Sequence, residues 1–319
     1  MGRRGGGTLT DAVIVTNPSA GRAGAGPLAA ARRRLEAGGW RVRVETSRAS
    51  GDGERLARAA VADGADIVVA HGGDGTMMDV AAGLVGTGRT LGLLPAGTGN
   101  VLAGNLGIGR AGAAVEVLLK GATRTIDLGQ VTTVAGSRYF AVNCGAGFAA
   151  ELMAETAPHH KRRFGVAAYV VRAALMAAAG RLVRASCRVE VDGRVFEGRA
   201  TTVLVANCRH IVPGVLPLAR EVAPDDGVLD VAVLYAASYV AALRVVWRLL
   251  QRRPDVDEGI VTHRGRRVRV SCDPPLLVEA DGEPVGMTPM TVDLVPGALR
   301  VLVPARPPGG GESGETRGR

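Results

Sequence analysis

Along the first 120 residues, apolar positions follow two periods in turn. Compact apolar runs at 12–16 (AVIVT), 67–70 (IVVA) and 91–94 (LGLL) read as buried strands, and the alternating stretch 41–46 (RVRVET) as a half-exposed one. Between them, 28–37, 54–63, 77–85 and 111–120 carry helical spacing. Strands alternating with helices predict a parallel, doubly wound α/β domain, in which ligands bind beyond the carboxyl ends of the strands. After about residue 124 the strand period dominates: 126–134, 138–143, 188–191, 201–207, 229–234, 267–270, 276–279, 290–294 and 299–303. Asp192-Gly193 and Asp281-Gly282 supply the positive-φ pair that tight hairpins require. The expected fold class is therefore α/β in two domains, with residues 11–124 doubly wound and 125–304 mostly antiparallel β with a few inserted helices. Residues 1–10 and 305–319, rich in Gly, Arg and Pro, are expected to be disordered.

Three glycine-rich turns follow predicted strands: Asn17-Pro18-Ser19-Ala20-Gly21, Gly72-Gly73-Asp74-Gly75-Thr76, and Gly97-Thr98-Gly99-Asn100. Strand, glycine turn and helix start is the arrangement that aims backbone N–H groups at an anion, and glycine lets phosphate oxygens come close. Asp74 is out of place in a plain phosphate cradle, because a carboxylate repels phosphate. It is expected on a surface loop, handling a metal ion or a proton during phosphoryl transfer. His71, just before the turn, is expected at a buried or edge position, with nucleotide contact as the alternative.

The net charge of +9 favours anionic partners, either nucleotides or an acidic membrane surface. With aromatics at only 3%, stacking on nucleic-acid bases is not expected. Cys144, Cys187, Cys208 and Cys272 are far apart in mostly apolar runs and read as reduced core thiols of a cytoplasmic protein. The first residues lack the apolar core of a signal peptide, and no uncharged run reaches the length of a spanning helix. No GxxxxGK[ST] loop, HExxH, paired CxxC or GxSxG elbow is present. A GxGxxG at 107–112, with Asp127 beyond it, does not follow the first strand, so a dinucleotide fingerprint is not expected there.

Two acidic clusters, 225–230 (DDGVLD) and 279–283 (EADGE), read first as hairpin turns. The first also suits a hard cation such as Mg²⁺, and the second contains groups able to orient and deprotonate an acceptor hydroxyl. Residues 159–184 carry Lys161, Arg162, Arg163, Arg172, Arg181 and Arg184 with no acid, and Phe164, Ala168, Val171, Leu175 and Leu182 at helical spacing. That pattern suits a basic amphipathic helix at an anionic membrane, or an ordinary helix packed on the β domain.

Together with Ile126-Asp127-Leu128-Gly129, Asn143-Cys144-Gly145-Ala146-Gly147-Phe148, Lys161-Arg162-Arg163-Phe164-Gly165 and Asp281-Gly282-Glu283-Pro284, these motifs resemble the diacylglycerol kinase catalytic family. The resemblance is to its bacterial lipid-kinase branch, related to sphingosine kinases, and runs from residue 12 to 303. It implies a nucleotide-binding domain like that of NAD kinases and phosphofructokinases, then a β-sandwich, and ATP-dependent phosphorylation of a lipid hydroxyl on diacylglycerol, a sphingoid base or another long-chain alcohol. Carried over by position, ATP would be bound by Asn17, Pro18, Ser19, Ala20, Gly21, Thr46, Gly72, Gly73, Asp74, Gly75, Thr76, Met77, Met78 and Thr98. Asp226, with the carbonyls of Ala223 and Val228, would hold Mg²⁺; Glu283, beside Asp281, would accept the proton, and Asp74 would assist. The chain departs from the family at Met78-Asp79, where Asn-Glu is frequent, and at Val101, where Asp is frequent. The expected partners are ATP and a lipid at the inner face of the membrane, with a homodimer as an option and nucleic acid excluded. The alternatives are a soluble NAD kinase-like enzyme and a non-catalytic lipid- or nucleotide-binding module.

Overall fold

The structure, a computed structural model, describes residues 9–18, 25–49, 51–109, 111–155, 183–210, 222–235 and 260–305. Residues 1–8 and 306–319 of the expected disordered termini, Ser19, Ala20, Gly21 and nearly all of the basic segment 159–184 fall outside those residues, whereas Thr10, expected in the disordered stretch, begins the first strand.

The first part of the chain alternates as its periodicity predicts: β1 (Thr10–Thr16), α1 (Ala25–Ala37), β2 (Trp40–Thr46), α2 (Asp52–Ala62), β3 (Ile67–Gly72), α3 (Asp74–Leu84), β4 (Thr90–Pro95), α4 (Val101–Asn105) and α5 (Ala111–Lys120). The four strands are parallel, in the order β2-β1-β3-β4. Helices α2 and α3 pack together over β1 and β3, while α1 and α5 pack together over β2 and β4. Both sheet faces are thereby covered, which is why β1 and β3 are continuous apolar runs rather than alternating ones. Ile14, Leu35, Met77, Leu84, Leu91 and Leu118 lie in this core. Full burial of one such side chain contributes about 1.5–3 kcal/mol.

The second part is β5 (Ala122–Thr133), β6 (Gly136–Phe140), β7 (Asn143–Gly147), α6 (Phe148–Glu155), β8 (Ala185–Val191), β9 (Arg194–Ala200), β10 (Thr202–Ala206), β11 (Leu229–Leu234), β12 (Ile260–Gly265), β13 (Arg267–Asp273), β14 (Leu277–Ala280), β15 (Glu283–Met287) and β16 (Met290–Val303). An antiparallel six-stranded sheet runs β12-β11-β10-β7-β14-β15. It faces β8, β13 and the first half of β16 across a second apolar core containing Val189, Val203, Val231, Val270, Val278 and Phe140. The last strand links the two parts. Its C-terminal end lies parallel to β4 (Arg300↔Thr90), and its N-terminal end pairs antiparallel with β13, so one sheet continues β2-β1-β3-β4-β16-β13-β8-β9. Strand β5 lies along most of β16 and across residue 124.

Several expectations are corrected. The strands expected at 290–294 and 299–303 are one strand, β16, with a register shift between Val295 and Leu299. The stretch 138–143 divides between β6 and β7. Helix α3 starts at Asp74, three residues before its apolar pattern begins. The acidic stretch 225–230 is a turn leading into β11, not the closure of a two-strand hairpin. Asp192-Gly193 and Asp281-Gly282 do close hairpins, with φ of 47°, 84°, 49° and 85°. The cysteines are not all reduced: Cys187 and Cys272 stand directly opposite each other on β8 and β13 and form a disulfide. Cys144 and Cys208 are free and buried, and burial pushes both thiols far up from their ordinary pKa.

Candidate active site

The parallel register aligns the ends of the first four strands. Thr16 pairs with both Thr46 and His71, and Gly72 pairs with Pro95. Asn17, Pro18, Thr46, Gly72 to Thr76 and Thr98 therefore share one edge of the sheet, as the strand-end rule requires. Thr46, Pro18 and Thr98 are exposed there. His71 is buried and its Nδ1 lies 2.8 Å from Thr16 Oγ1; burial lowers its pKa. It is a structural histidine beneath the loops, as expected.

Two of the glycine turns are pressed together. The N–H groups of Ala96 and Gly97 both donate to the Gly72 carbonyl, at 2.8 and 3.2 Å. A Cβ on Gly97 would lie 2.5 Å from the Gly73 Cα, so glycine is required at that approach. Asp74 begins α3, and its Oδ1 also accepts the N–H groups of Val101 (2.6 Å) and Leu102 (3.3 Å) at the start of α4. Burial raises the Asp74 pKa, against the lowering effect of these N–H groups. The carboxylate is thus built into the loop pair, and the free surface side chain expected from the sequence is corrected. Met77 and Met78 are buried, so their side chains belong to the core. Asp79, the other departure from the family, accepts the Gly51 N–H at 3.1 Å and faces Arg138 of β6 at 3.8 Å.

The second part contributes the β14–β15 hairpin. Glu283 is exposed at the start of β15, and its Oε1 lies 3.9 Å from where a Cβ on Gly75 would stand. Asp281 does not share that freedom. Its carboxylate accepts the N–H groups of Ala141 (2.8 Å), Val142 (3.0 Å) and Asn143 (3.0 Å). Burial raises its pKa from 3.8 to about 6; the three N–H groups pull it down, and the charge of Asp74 pushes it up. The structure thus brings Asp74, Gly75, Asp281 and Glu283 into one region.

Asp226 is on the exposed turn before β11. Its oxygens accept the N–H groups of Val228 (3.2 Å) and Ala223 (3.4 Å), and the Ala223 carbonyl accepts the Asp226 N–H at 3.4 Å. All three contacts are long. Carboxylate and carbonyl oxygens are the donors that a hard divalent cation takes. No group of three or more His, Cys, Asp or Glu side chains placed for a metal occurs among the described residues. The turn is held by Asp127, whose buried carboxylate accepts the N–H groups of Gly227 (2.9 Å) and Gly297 (2.7 Å). This, rather than a ribose, is what Asp127 serves. The sequence alone assigned no bracing role to Asp127 or Asn143 and took Glu279 only as part of an acidic turn; the available signal was a polar residue inside an otherwise apolar strand run.

The aligned glycine turns thus lie at one edge of the doubly wound sheet, and the acidic β14–β15 hairpin of the second part of the chain meets them there. Residues 11–131 match the model of the diacylglycerol kinase catalytic domain, and residues 142–303 match that of the YegS C-terminal NAD kinase beta sandwich-like domain. The chain belongs to this diacylglycerol and lipid kinase family. A diacylglycerol kinase of Bacillus subtilis (strain 168) is 30% identical over 281 residues, covering 86% of this chain and 90% of that one. The "Probable lipid kinase YegS-like" of Pseudomonas putida is 33% identical over 277 residues, covering 86% and 89%. The chain spans 56% of a longer Synechocystis relative, 30% identical over 247 residues. A solved structure of a diacylglycerol kinase from Bacillus anthracis str. Sterne has the same fold, with TM-score 0.71 at 18% identity, covering 93% of this chain and 98% of that one.

Proposed function

We propose that the protein transfers the γ-phosphoryl group of ATP to a lipid hydroxyl, on diacylglycerol or a related long-chain alcohol or sphingoid base. The observation that carries this reading is the position of Glu283, an exposed carboxylate from the second part of the chain set against Gly75 of the glycine turn. In this reading the N–H groups of 72–76, with Asn17 and Thr98, cradle the nucleotide phosphates. Glu283 receives the proton of the acceptor hydroxyl as its oxygen bonds to the γ-phosphorus and the bond to the bridging oxygen of ADP breaks. Asp74 and Asp281 hold the loops on either side of that gap. Asp226, Ala223 and Val228 would hold Mg²⁺, and a divalent cation supplies charge neutralisation to such a site when bound.

The test offers the purified protein labelled ATP with vesicles containing diacylglycerol, a sphingoid base or a long-chain alcohol, and separately with NAD⁺. Label in a lipid, with a Glu283→Gln variant reduced on the order of 10²–10⁴-fold in kcat at similar KM for ATP, is the expected outcome. Label only in NAD⁺, or no turnover with any lipid, overturns it.

A further inference from the structure

Glu279 sits two residues before Asp281 on β14 and is sealed from solvent, at 1% exposure. Its Oε1 accepts the side-chain amide of Asn143 at 2.9 Å, and its Oε2 accepts the N–H of Gly282 at 2.6 Å. Gly282 is the residue immediately before Glu283. Asn143 is bound again from the other side of the turn, donating its N–H to Asp281 Oδ1 and accepting the Asp281 N–H at 2.9 Å. Glu279 and Asp281 therefore grip the turn from both ends against the start of β7.

The fold contains its own control for what such a turn requires. The β8–β9 hairpin closes on Asp192-Gly193 with nearly the same φ values, 47° and 84° against 49° and 85°. Asp192 also braces backbone N–H groups, those of Arg266 and Arg267. The acid two residues before it, Glu190, makes instead a peripheral ion pair with Arg269 at 2.7 Å and does not reach the turn. A type I′ Asp-Gly turn is thus complete without a buried glutamate. Burying a carboxylate is costly, and the β14–β15 hairpin carries that cost only where the next side chain is Glu283.

We infer that Glu279 is a positioning residue for Glu283: by fixing the Gly282 peptide, it sets where the Glu283 carboxylate stands relative to Gly75. This rests on the reading of Glu283 as the proton acceptor. Displacing a reacting group by about 1 Å costs on the order of 10²-fold in rate, so the grip acts on kcat rather than on nucleotide binding.

The test has two arms. In the first, Glu279→Ala, Glu279→Gln, Glu283→Gln and the Glu279→Ala/Glu283→Gln double variant phosphorylate diacylglycerol in phosphatidylglycerol vesicles. Glu279→Ala is expected to lower kcat about 10–100-fold with KM for ATP within about twofold. Glu279→Gln keeps one acceptor oxygen for the Gly282 N–H, with the Asn143 amide turned to accept from the new NH2, and restores part of it; the double variant is no slower than Glu283→Gln alone. Costs that multiply in the double variant, or an unchanged kcat in Glu279→Ala, overturn the inference. If Glu279→Ala does not fold, Glu279→Asp takes its place in the same cycle, because one missing methylene withdraws the carboxylate from Gly282. The second arm needs no activity: amide hydrogen exchange at Gly282 should speed up in Glu279→Ala or Glu279→Asp while the β8–β9 turn is unchanged. An inactive parent sinks the kinase reading, whereas unchanged exchange at Gly282 sinks the role of Glu279.

Discussion

Asp74 has two tasks that pull on the same atoms. As the first residue of α3 it places negative charge at a helix N-terminus, a favourable position, and the same carboxylate closes the start of α4. Alanine would leave the Val101 and Leu102 N–H groups without their acceptor, a loss of about 1–3 kcal/mol that lowers Tm. Asparagine keeps one oxygen and removes the charge, so Asp74→Asn separates the tasks. We predict a melting temperature close to the parent's and at least about a 10²-fold loss of turnover; turnover within about threefold of the parent would assign Asp74 to the scaffold alone. Asp281 gives a pH signature. Its folded pKa, about 6, is above its ordinary 3.8, because burial outweighs the three N–H groups. The folded protein therefore binds this proton more tightly than the unfolded chain does. The associated stability is complete below about pH 3.8 and is lost as pH rises through about 6. Asp281→Asn does not titrate. Its melting temperature minus that of the parent should thus become more positive between pH 5 and 7.5, and a difference that stays flat or moves the other way contradicts the assignment.

The elements legible from the sequence were those whose apolar pattern agreed with their environment. Strands β1 and β3 are covered on both sides, so their runs are uninterrupted, and α5 was placed to the residue. Strand β7 was lost because Asn143-Cys144-Gly145-Ala146-Gly147 has little strand propensity; it is central in its sheet, between β10 and β14. Edge strands β9 and β12 carry arginine and glycine on weakly buried stretches, so tertiary pairing, not local preference, makes them strands. The same long-range pairing hid the disulfide: 85 residues separate Cys187 from Cys272, and only the register of β8 on β13 puts them face to face. Protein purified without reductant and then denatured should show two reactive thiols, rising to four after reduction. A cross-link over such a loop contributes on the order of 2–4 kcal/mol, so reduction should also lower Tm. Four thiols before reduction would restore the sequence reading of an all-reduced protein.

The whole molecule is joined by its last strand, which returns to β4 and carries the first sheet into the second part of the chain. No local signal announces that return, but it is what brings the β14–β15 hairpin to the glycine turns: loops and acids were legible one by one, and their meeting was not. Charge, by contrast, reads directly from composition. At +9 the protein should be drawn to an anionic surface, where the proposed lipid substrate resides. No helix among the described residues is long and apolar enough to cross a membrane. The densest cationic cluster in the expected membrane segment is Lys161-Arg162-Arg163. Each basic residue near an anionic surface contributes about 1 kcal/mol, so removing three such attractions weakens vesicle binding on the order of 10²-fold, and reversing their sign weakens it further. Co-sedimentation with vesicles of rising phosphatidylglycerol content should therefore show salt-sensitive binding by the parent. The Lys161→Glu/Arg162→Glu/Arg163→Glu variant should bind poorly and turn over little on vesicles, yet keep parental turnover on detergent-dispersed lipid, where no charged surface has to be found. Equal vesicle binding by parent and variant would place membrane attraction elsewhere on the molecule. Loss of turnover in detergent as well would mean that these side chains support the fold or the active site instead.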